Sequence, residues 1–381
     1  MREGWEYKRL GELCDIVMGQ SPMGNSINEN NGIEFHQGKT NFGDKFLMES
    51  GIYTTSPIRI AEKKTILLCV RAPVGIINIT ERQVCIGRGL SSLKPRLGLE
   101  LLYLYYCLLS KQNYFESNST GSTFKAISSK VINNTIIQFP SKSTQLSIVS
   151  ELDKLNELIR IKKEQLKDYD TLAQSIFYEM FGDPVENEKG WEVKTLEDIC
   201  EITSSKRVFA NEYVDTGVPF YRSKEVIEKS KQLPISVELY ISESHYNKIK
   251  SSFGVPQIGD ILVTAVGTIG KIWVVDTNEP FYFKDGNLVW LRNIKGAHCE
   301  YFRYSLFYLI DEYKKVNANG AAYNALTIAK LKLMRCPLPS LSLQQSFAHK
   351  IEQIERQKAA VQSTITDLET LLAARMQYWF D

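Results

Sequence analysis

The 381 residues of this chain suffice for two or three domains, and 43% hydrophobic with 24% charged residues is typical of a soluble globular protein. The longest apolar run, residues 101–109, is too short to cross a bilayer, and the charged N-terminus excludes a signal peptide. Seven cysteines without a C-x-x-C pair indicate neither a zinc site nor a disulfide framework, so we expect a cytoplasmic protein with no membrane partner.

Residues 1–140 are predicted to form an α+β domain. β-rich runs at 65–70 and 76–80 alternate with turns, and residues 100–110 form a short helix. The net charge of the whole chain, +2, is weak evidence for a nucleic-acid partner. Residues 63–99, however, carry seven Lys and Arg against one acid, which is a local charge of +6. Such a segment is either the solvated face of a sheet or a surface that attracts nucleic acid.

Two long helices are predicted, at residues 141–183 and 340–381, each set off by a Pro-Ser pair from the domain before it. Between them lies a second α+β domain, residues 184–339, with β-rich runs at 260–266 and 271–275. We therefore expect four segments: α+β domain, helix, α+β domain, helix.

Both helices have an apolar seam at alternating spacings of four and three residues, which indicates a coiled coil. Three cations, Lys162, Lys358 and Arg375, interrupt it. The alternative is two unrelated amphipathic helices, each packed on its own domain. The seam positions are Ile148, Leu152, Leu155, Ile159, Lys162, Leu166, Tyr169, Ala173, Ile176 and Met180 in the first helix, and Phe347, Ile351, Ile354, Lys358, Val361, Ile365, Leu368, Leu372, Arg375 and Trp379 in the second.

The chain contains two copies of one module. The motif Gly-Trp-Glu-x-Lys-x-Leu occurs at residues 4–10 and 190–196, and Gly-x-x-Phe-x-x-(Gly/Ser)-Lys occurs at 32–39 and 217–224. Further pairs follow in the same order and at one constant offset: Gly121 with Gly320, Pro140 with Pro339, Gln145 with Gln344, and Phe181 with Phe380.

Connectivity predicts how the module copies are arranged. If the second helix packs on the first, it must run back toward the first domain, so the pair is antiparallel and pseudo-twofold symmetric. The predicted fold is α+β, with two mixed domains at opposite ends of a rod about 55 Å long. Because one turn of DNA advances about 34–36 Å, such an object suits a bipartite target. The copies have diverged, so the two half-sites are expected to differ.

The layout resembles the specificity subunit of type I restriction–modification systems over the whole chain. The resemblance is carried by the duplicated openings, by Gln-Ser-Pro-x-Gly at 20–24, by Phe-x-Gln-Gly at 35–38, and by the helix ends Met-Phe-Gly-Asp at 180–183 and Trp-Phe-Asp at 379–381. One departure is that Ser-Ser-Lys-Arg at 204–207 stands where the first copy has Met-Gly-Gln-Ser at 18–21.

The resemblance implies that the chain is a non-catalytic, DNA-reading subunit. Its implied partners are double-stranded DNA, two methyltransferase (HsdM) subunits docked on the helices, and motor–nuclease (HsdR) subunits. No cofactor is expected on this chain, because S-adenosylmethionine, ATP and Mg²⁺ are implied for the partner subunits.

Motifs for catalysis are missing from the sequence. The chain has no Pro-Pro, which an amino-methyltransferase motif would need. Residues 266–271 resemble a phosphate loop, but the glycine spacing fails and Ile272 replaces the required hydroxyl. The four histidines show no metal-ligand spacing. Two alternatives stay open: a DNA-modifying enzyme with a site built from scattered residues, and a coiled-coil scaffold with no DNA role.

Base reading requires polar side chains on loops, together with cations for phosphates. Trp5 and Trp191 are interpreted as core anchors. Tyr323 and Asn324 are placed either at a DNA contact or at a helix start. In the first domain the candidate DNA-binding residues are Gln20, Ser21, Gln37, Lys39, Thr40, Asn41, Arg71 and Arg88. In the second they are Ser205, Lys206, Arg207, Tyr221, Arg222, Lys224, Thr268, Lys271, Lys284 and Asn287.

Overall fold

A computed structural model of the chain describes residues 4–121, 125–317 and 325–381. The chain divides into two compact units, here called unit one (Met1–Lys163 with Gln362–Asp381) and unit two (Glu164–Val361). Both unit boundaries fall inside the long helices. The sequence-based division at residues 140, 183 and 339 separates helices from domains instead, and it stays a prediction.

The described residues of unit one form eleven strands and four short helices, followed by the start of a long helix. Short 3₁₀ turns lie at Gly24–Ser26 and Lys39–Asn41. The strands are β1 Glu6–Arg9, β2 Cys14–Met18, β3 Ile27–Asn28, β4 Ile33–His36, β5 Tyr53–Thr54, β6 Ile60–Ala61, β7 Thr65–Cys69, β8 Ile77–Thr80, β9 Val84–Ile86, β10 Leu90–Pro95 and β11 Ile136–Phe139. The helices are α1 Leu10–Leu13, α2 Leu101–Ser110, α3 Gln112–Ser117, α4 Ser129–Asn134 and the long α5 Lys142–Phe181.

The strands of unit one form an antiparallel four-stranded sheet in the order β2-β10-β7-β8 and a five-stranded sheet in the order β3-β5-β4-β9-β6. A two-stranded sheet joins β1 to β11. β7 is buried along its whole length because alternate side chains enter different cores. Ile66 and Leu68 pack with α2, whereas Leu67 and Cys69 face the apolar residues of β9. This explains why Ile66–Cys69 of β7 form an unbroken apolar run.

Unit two contains the second α+β domain, together with the end of α5 and the first part of the second long helix. A 3₁₀ turn lies at Ala210–Glu212. The strands are β12 Glu192–Thr195, β13 Glu201–Thr203, β14 Tyr213–Val214, β15 Val218–Tyr221, β16 Tyr240–Ile241, β17 Ile261–Thr264, β18 Ile272–Val274, β19 Tyr282–Phe283, β20 Leu288–Arg292 and β21 Arg335–Leu338. The helices are α6 Leu196–Ile199, α7 Ser223–Ser230, α8 Glu243–Phe253, α9 Cys299–Asn317, α10 Ile328–Leu333 and the long α11 Leu341–Phe380.

The sequence repeat is also a repeat of topology. The order β13-β20-β17-β18 reproduces β2-β10-β7-β8, and β14-β16-β15-β19 reproduces β3-β5-β4-β9, including one parallel pair in each. The copies differ most where unit two inserts α7 and α8, since unit one has only turns and short strands between β4 and β7.

Each module is joined to its helix in the same way. The buried side chain of Gln145 donates to the carbonyls of Gly98 and Pro140, at 3.0 Å each. In unit two Gln344 donates to the carbonyls of Gly296 and Pro339, at 3.3 and 2.8 Å. These amides fix the first turn of each long helix, which accounts for their repetition in the sequence.

The long helices pair antiparallel within each unit. In unit one Arg375 of α11 binds Glu151 of α5, and Lys163 of α5 binds Glu369 of α11 at 2.7 Å. The later residue of α5 thus contacts the earlier residue of α11, as in an antiparallel pair. In unit two the seam cation Lys358 binds Asp170 at 2.8 Å. Every predicted seam position is buried or half-buried. The predicted α+β fold with long antiparallel helices is confirmed. Among the described residues, no helix is long and apolar enough to cross a membrane.

Candidate nucleic-acid interface

Loops from four strands converge at one end of the four-stranded sheet of unit one. Met18 lies opposite Ser91, and Cys69 lies opposite Leu90, so the carboxyl ends of β2 and β7 meet the start of β10. The parallel strand β4 ends beside β9 at the same place. We call the residues that follow, 19–21, 37–41, 70–75 and 87–89, surface one.

Glycines allow the loops of surface one to touch. A Cβ at Gly19 would lie 2.1 Å from the carbonyl oxygen of Gly87, and a Cβ at Gly87 would lie 2.3 Å from Oε1 of Gln37. A Cβ at Gly89 would lie 2.4 Å from the carbonyl oxygen of Gln37. The contacts at Gly19 and Gly89 are with backbone atoms, which only glycine can approach so closely, whereas the contact at Gly87 is with a side-chain oxygen. Gly87 and Gly89 therefore serve the packing of loops around Arg88.

The structure brings the predicted residues of unit one together. Ser21 Oγ donates to Gln37 Oε1 at 2.9 Å, and the Arg88 backbone amide lies 3.5 Å from Ser21 Oγ. The exposed predicted residues are Gln20, Gln37, Lys39, Thr40, Arg71 and Arg88, whereas Ser21 and Asn41 are half-buried. Asn41 Nδ2 donates to the carbonyl of Glu49 at 3.1 Å, which closes the loop that carries Lys39 and Thr40.

Three cations of surface one are available for an anionic ligand. In the described ranges no carboxylate lies within 4.0 Å of Lys39, Arg71 or Arg88. Lys125, which the sequence analysis did not select, is also exposed, and its carbonyl accepts from the amide of Ala72 at 3.1 Å. Its position beside the 70–75 loop depends on this long-range backbone contact, which no local pattern reveals.

The basic segment 63–99 is not one continuous surface. Arg96 binds Asp15 at the opposite end of β10 from Arg88, and the six residues of this strand span about 20 Å at about 3.4 Å per residue. Arg82 turns inward to Glu34, with its Nη2 2.8 Å from Oε1. Its guanidinium also donates to the carbonyls of Leu47 and Met48, at 3.0 Å each.

Glu34 is the centre of a buried polar cluster beside surface one. Burial acts to raise its pKa, but hydrogen bonds from Arg82 and from the amide of Ser50 outweigh burial and lower the pKa to about 2. His36 Nε2 donates to Glu34 Oε1 at 2.9 Å. Burial lowers the pKa of His36 in spite of the nearby carboxylate. The cluster therefore holds an ionised Glu34 and a neutral His36 just before Gln37.

The equivalent end of unit two carries residues 204–207, 265–271 and 284–287, here called surface two. The amide of Lys284 donates to the carbonyl of Tyr221, as the amide of Gly87 does to His36 in unit one. The amide of Ala265 donates to Asn287 at 2.8 Å, as Val70 does to Gly89. Gly87-Arg88-Gly89 thus corresponds to residues 284–287, with one residue more in unit two.

The predicted residues of unit two are divided among three environments. Lys206, Arg207, Thr268 and Lys284 are exposed at surface two, and Lys271 and Asn287 are half-buried there. Ser205 and Tyr221 are buried. The ring of Tyr221 stacks on Phe281, with 4.7 Å between centroids, and burial raises its pKa to about 12. Because a buried side chain offers little surface to a ligand, neither Tyr221 nor the side chain of Ser205, although Ser205 lies in the 204–207 loop, contributes to surface two.

Acidic neighbours hold several cations of unit two. Arg222 and Lys224 both bind Glu238, at 2.8 and 2.7 Å, and Arg222 also binds the buried Glu225. Arg207 binds Asp285 at 2.8 Å. A DNA phosphate would therefore have to compete with a carboxylate at each of these three side chains. The sequence-predicted pair Tyr323 and Asn324 lies outside the described residues.

No group of three or more His, Cys, Asp or Glu side chains in the described ranges is arranged to hold a metal ion.

Comparison with known proteins connects this geometry to a family. The model of the "Type I restriction modification DNA specificity domain" matches residues 2–168 and 188–370, once in each module. The putative type I restriction enzyme specificity subunit S.HindORF215P of Haemophilus influenzae is 26% identical over 359 residues, covering 92% of this chain and 87% of the relative.

Two relatives from Methanocaldococcus jannaschii are matched over shorter stretches. The putative type I restriction enzyme MjaX specificity subunit is 34% identical over 178 residues, 46% of this chain and 42% of the relative. The MjaIX specificity subunit is 27% identical over 259 residues, 59% of this chain and 58% of the relative. The chain thus spans about half the length of these two relatives.

Two solved structures show the same fold. The S subunit of a type I restriction–modification system from M. genitalium is 18% identical and aligns over 99% of this chain and 96% of its own length, with a TM-score of 0.55. A chain from a study of assembly and conformational transition in the type I R-M system is 20% identical, aligns over 100% and 98%, and has a TM-score of 0.66. With a family match in each module, this chain belongs to the type I restriction–modification DNA specificity family.

Proposed function

We propose that the chain is the DNA-reading subunit of a type I restriction–modification enzyme. Surface one reads one half of a bipartite, asymmetric target and surface two reads the other half. The observation that carries the proposal is the pair of equivalent surfaces, built on one strand framework but carrying different side chains.

Surface one has the composition that DNA recognition requires. Lys39, Arg71 and Arg88 supply positive charge for phosphates or guanine edges, and the amides of Gln20 and Gln37 can donate to and accept from base edges. All five side chains are exposed. The close loop packing around Gly87 limits their freedom before DNA binds, which reduces the entropy cost of association.

Surface two cannot read the same bases as surface one. Where surface one has Gln20 and Ser21, surface two has Lys206 and Arg207 at the same register of the sheet. Where surface one has Arg88, surface two has Asp285 and Gly286. Exchanging an amide and a hydroxyl for two cations, and a cation for an acid, changes the pattern of donors and acceptors, so the half-sites must differ.

The long helices are proposed to bind the methyltransferase subunits. Besides the buried seam, α5 exposes Leu158, Ile161, Leu172 and Tyr178, and α11 exposes Leu371 and Tyr378. Exposed apolar residues at helical spacing are typical of a surface that binds another chain. S-adenosylmethionine, ATP and Mg²⁺ belong to the methyltransferase and motor–nuclease partners, and this chain catalyses no step.

The test is to co-express the chain with its methyltransferase subunit and to sequence methylated adenines across the genome. We expect one interrupted, asymmetric motif that vanishes when this chain is omitted. A complex that assembles but neither methylates nor shifts DNA would favour a scaffold. Binding of S-adenosylmethionine by the isolated chain would favour an enzyme instead.

A further inference from the structure

Arg71 and Val266 occupy the same position in the two modules. Each is the second residue after its strand, β7 or β17. Arg71 forms an isolated antiparallel bridge with Ala126, and Val266 forms one with Ala325.

Backbone hydrogen bonds on both sides fix this register. In unit one the carbonyl of Val70, the residue before Arg71, accepts from the amide of Ile127 at 3.0 Å. In unit two the carbonyl of Ala265, the residue before Val266, accepts from the amide of Leu326 at 2.8 Å. The amide of Val70 donates to the carbonyl of Gly89, beside Arg88, and the amide of Ala265 donates to the carbonyl of Asn287, in the loop of Asp285. The equivalence therefore rests on three backbone contacts in each unit and does not depend on sequence alignment.

Both side chains are presented to solvent, but their chemistry is opposite. Arg71 is exposed and has no carboxylate within 4.0 Å among the described residues. Val266 is 40% exposed although it is apolar and β-branched. Gly267 and Gly270, with φ of +72° and +81°, shape the turn that follows. Thr264 Oγ1 also accepts from the amide of Lys271 at 2.9 Å across the turn. The turn is therefore held in place, and a β-branched side chain has few rotamers.

We infer that this position is a base-reading position in both modules, where Arg71 selects a guanine and Val266 selects a thymine through its methyl group. A guanidinium donates two hydrogen bonds to O6 and N7 of guanine in the major groove. An apolar side chain there favours the C5-methyl group, which thymine alone among the four ordinary bases carries. The inference rests on the proposed function and adds one base to each half-site.

The first experiment compares the DNA motifs that variant complexes methylate. Full-length Arg71→Val and Val266→Arg chains are each co-expressed with the methyltransferase subunit, and methylated adenines are sequenced. Arg71→Val should relax one guanine of half-site one by about tenfold to a hundredfold in preference and leave half-site two unchanged. Val266→Arg should change one position of half-site two only.

The controls place an Arg→Val and an aliphatic→Arg substitution at the far ends of the same sheets. Arg96→Val lies after the carboxyl end of β10, and Ile258→Arg replaces an exposed residue (56%) before β17. Both should leave the motif unchanged. A variant that fails to fold is recognised by its inability to co-purify with the methyltransferase subunit, and Val266→Ala then takes the place of Val266→Arg.

The second experiment isolates the methyl group. Binding of the assembled methyltransferase is measured on duplexes in which each thymine of half-site two is replaced by uracil. At one position the parent complex should lose about fourfold in affinity, the worth of one methyl group, and Val266→Ala should be insensitive to that replacement. If no thymine shows this dependence on Val266, or if Arg71→Val keeps every base preference, the inference is overturned while the motif still supports the proposed function. Failure of the parent chain to direct any motif would overturn the proposed function itself.

Discussion

The carboxylate of Glu151 on α5 binds the guanidinium of Arg375 on α11, 224 residues farther along the chain. Glu151 also accepts from Trp379 Nε1 at 3.1 Å. The Arg375 side chain lies over the rings of Tyr378 and Trp379, at 4.6 and 5.0 Å. Arg375 can therefore occupy an otherwise apolar seam, because its charge is paired with Glu151 and its side chain packs on two aromatic rings.

We expect Arg375→Ala to lower the free energy of unfolding, through loss of the ion pair and of ring packing. For a unit of this size, the melting temperature should fall by about 2–4 °C in scanning calorimetry. Arg356→Ala is the matched control, since Arg356 lies on the same helix with its partner Glu352 but is well exposed. The control should change stability by less than about 0.5 kcal/mol. Equal effects would mean that the seam pair is energetically ordinary.

The Glu34–His36 cluster predicts a loss of stability in acid. Because burial lowers the pKa of His36, the unfolded chain takes up a proton first as the pH falls through about 6.5. Glu34 has its pKa lowered to about 2, so it stabilises the fold above its unfolded value of about 4.3, and this contribution is lost as the pH falls from there toward 2. Urea titrations should show that the free energy of unfolding falls continuously from pH 7 to pH 3. Glu34→Gln should flatten the profile below about pH 4.3, and an unaltered profile would contradict the assignment.

Gly19→Ala should disrupt surface one, because the new Cβ would lie 2.1 Å from the backbone oxygen of Gly87. We expect reduced thermal stability together with weaker recognition of half-site one. Gly24→Ala, five residues on, is the control, since its Cβ would meet nothing within 4 Å. Differential scanning fluorimetry and methylation sequencing of both variants would decide. Equal behaviour of the two would show that the loops can separate without cost.

Arg88→Ala and Lys39→Ala should weaken DNA binding in different ways. An arginine on a base edge is worth about 1–3 kcal/mol and its loss should relax one base position. A lysine on a phosphate should lower affinity for all sequences and reduce the slope of log K against log salt by about one. Fluorescence anisotropy at several salt concentrations separates the two. Lys94→Ala, on the far half of β10, is the control and should bind as the parent does.

Residues 1–183 should form a homodimer. This fragment lacks Phe380, which is fully buried in unit one with its ring 5.6 Å from that of Tyr103. Phe181, the equivalent residue of the first module, packs 4.6 Å from Tyr301 in unit two, so a second copy can offer Phe181 to the empty place. Light scattering should give twice the monomer mass, and the complex with the co-expressed methyltransferase should methylate an interrupted palindromic DNA motif. Phe181→Asp should keep the fragment monomeric; a monomeric parent fragment at micromolar concentration would contradict the prediction.

Periodicity and repetition made the helices predictable. The seam from Ile148 to Met180 depends only on local spacing, so the position of α5 could be inferred from the sequence. Its antiparallel pairing with α11 followed from the connectivity of the chain. The repeated Gln145 and Gln344 likewise marked the joints, although their hydrogen bonds to carbonyls were not predictable from spacing.

The surfaces were harder to predict because their side chains depend on distant partners. Arg82 looked like its neighbour Arg88, but it turns inward to Glu34, 48 residues away in sequence. Tyr221 lies in β15, which packs against α7, and its ring stacks on Phe281. Neither contact was predicted from the sequence, so its burial was missed. Val266 was passed over as part of an imperfect phosphate loop, since only the sheet register shows that it matches Arg71.

The division of the chain also bears on its synthesis. Unit two is one uninterrupted stretch, Glu164–Val361, whereas unit one needs residues 362–381 as well as the first 163. As the nascent chain leaves the ribosome, the module made second can complete its core first. The module made first waits with the place of Phe380 unfilled, and a stalled or truncated product would still carry an apolar opening suited to a helix end from another molecule.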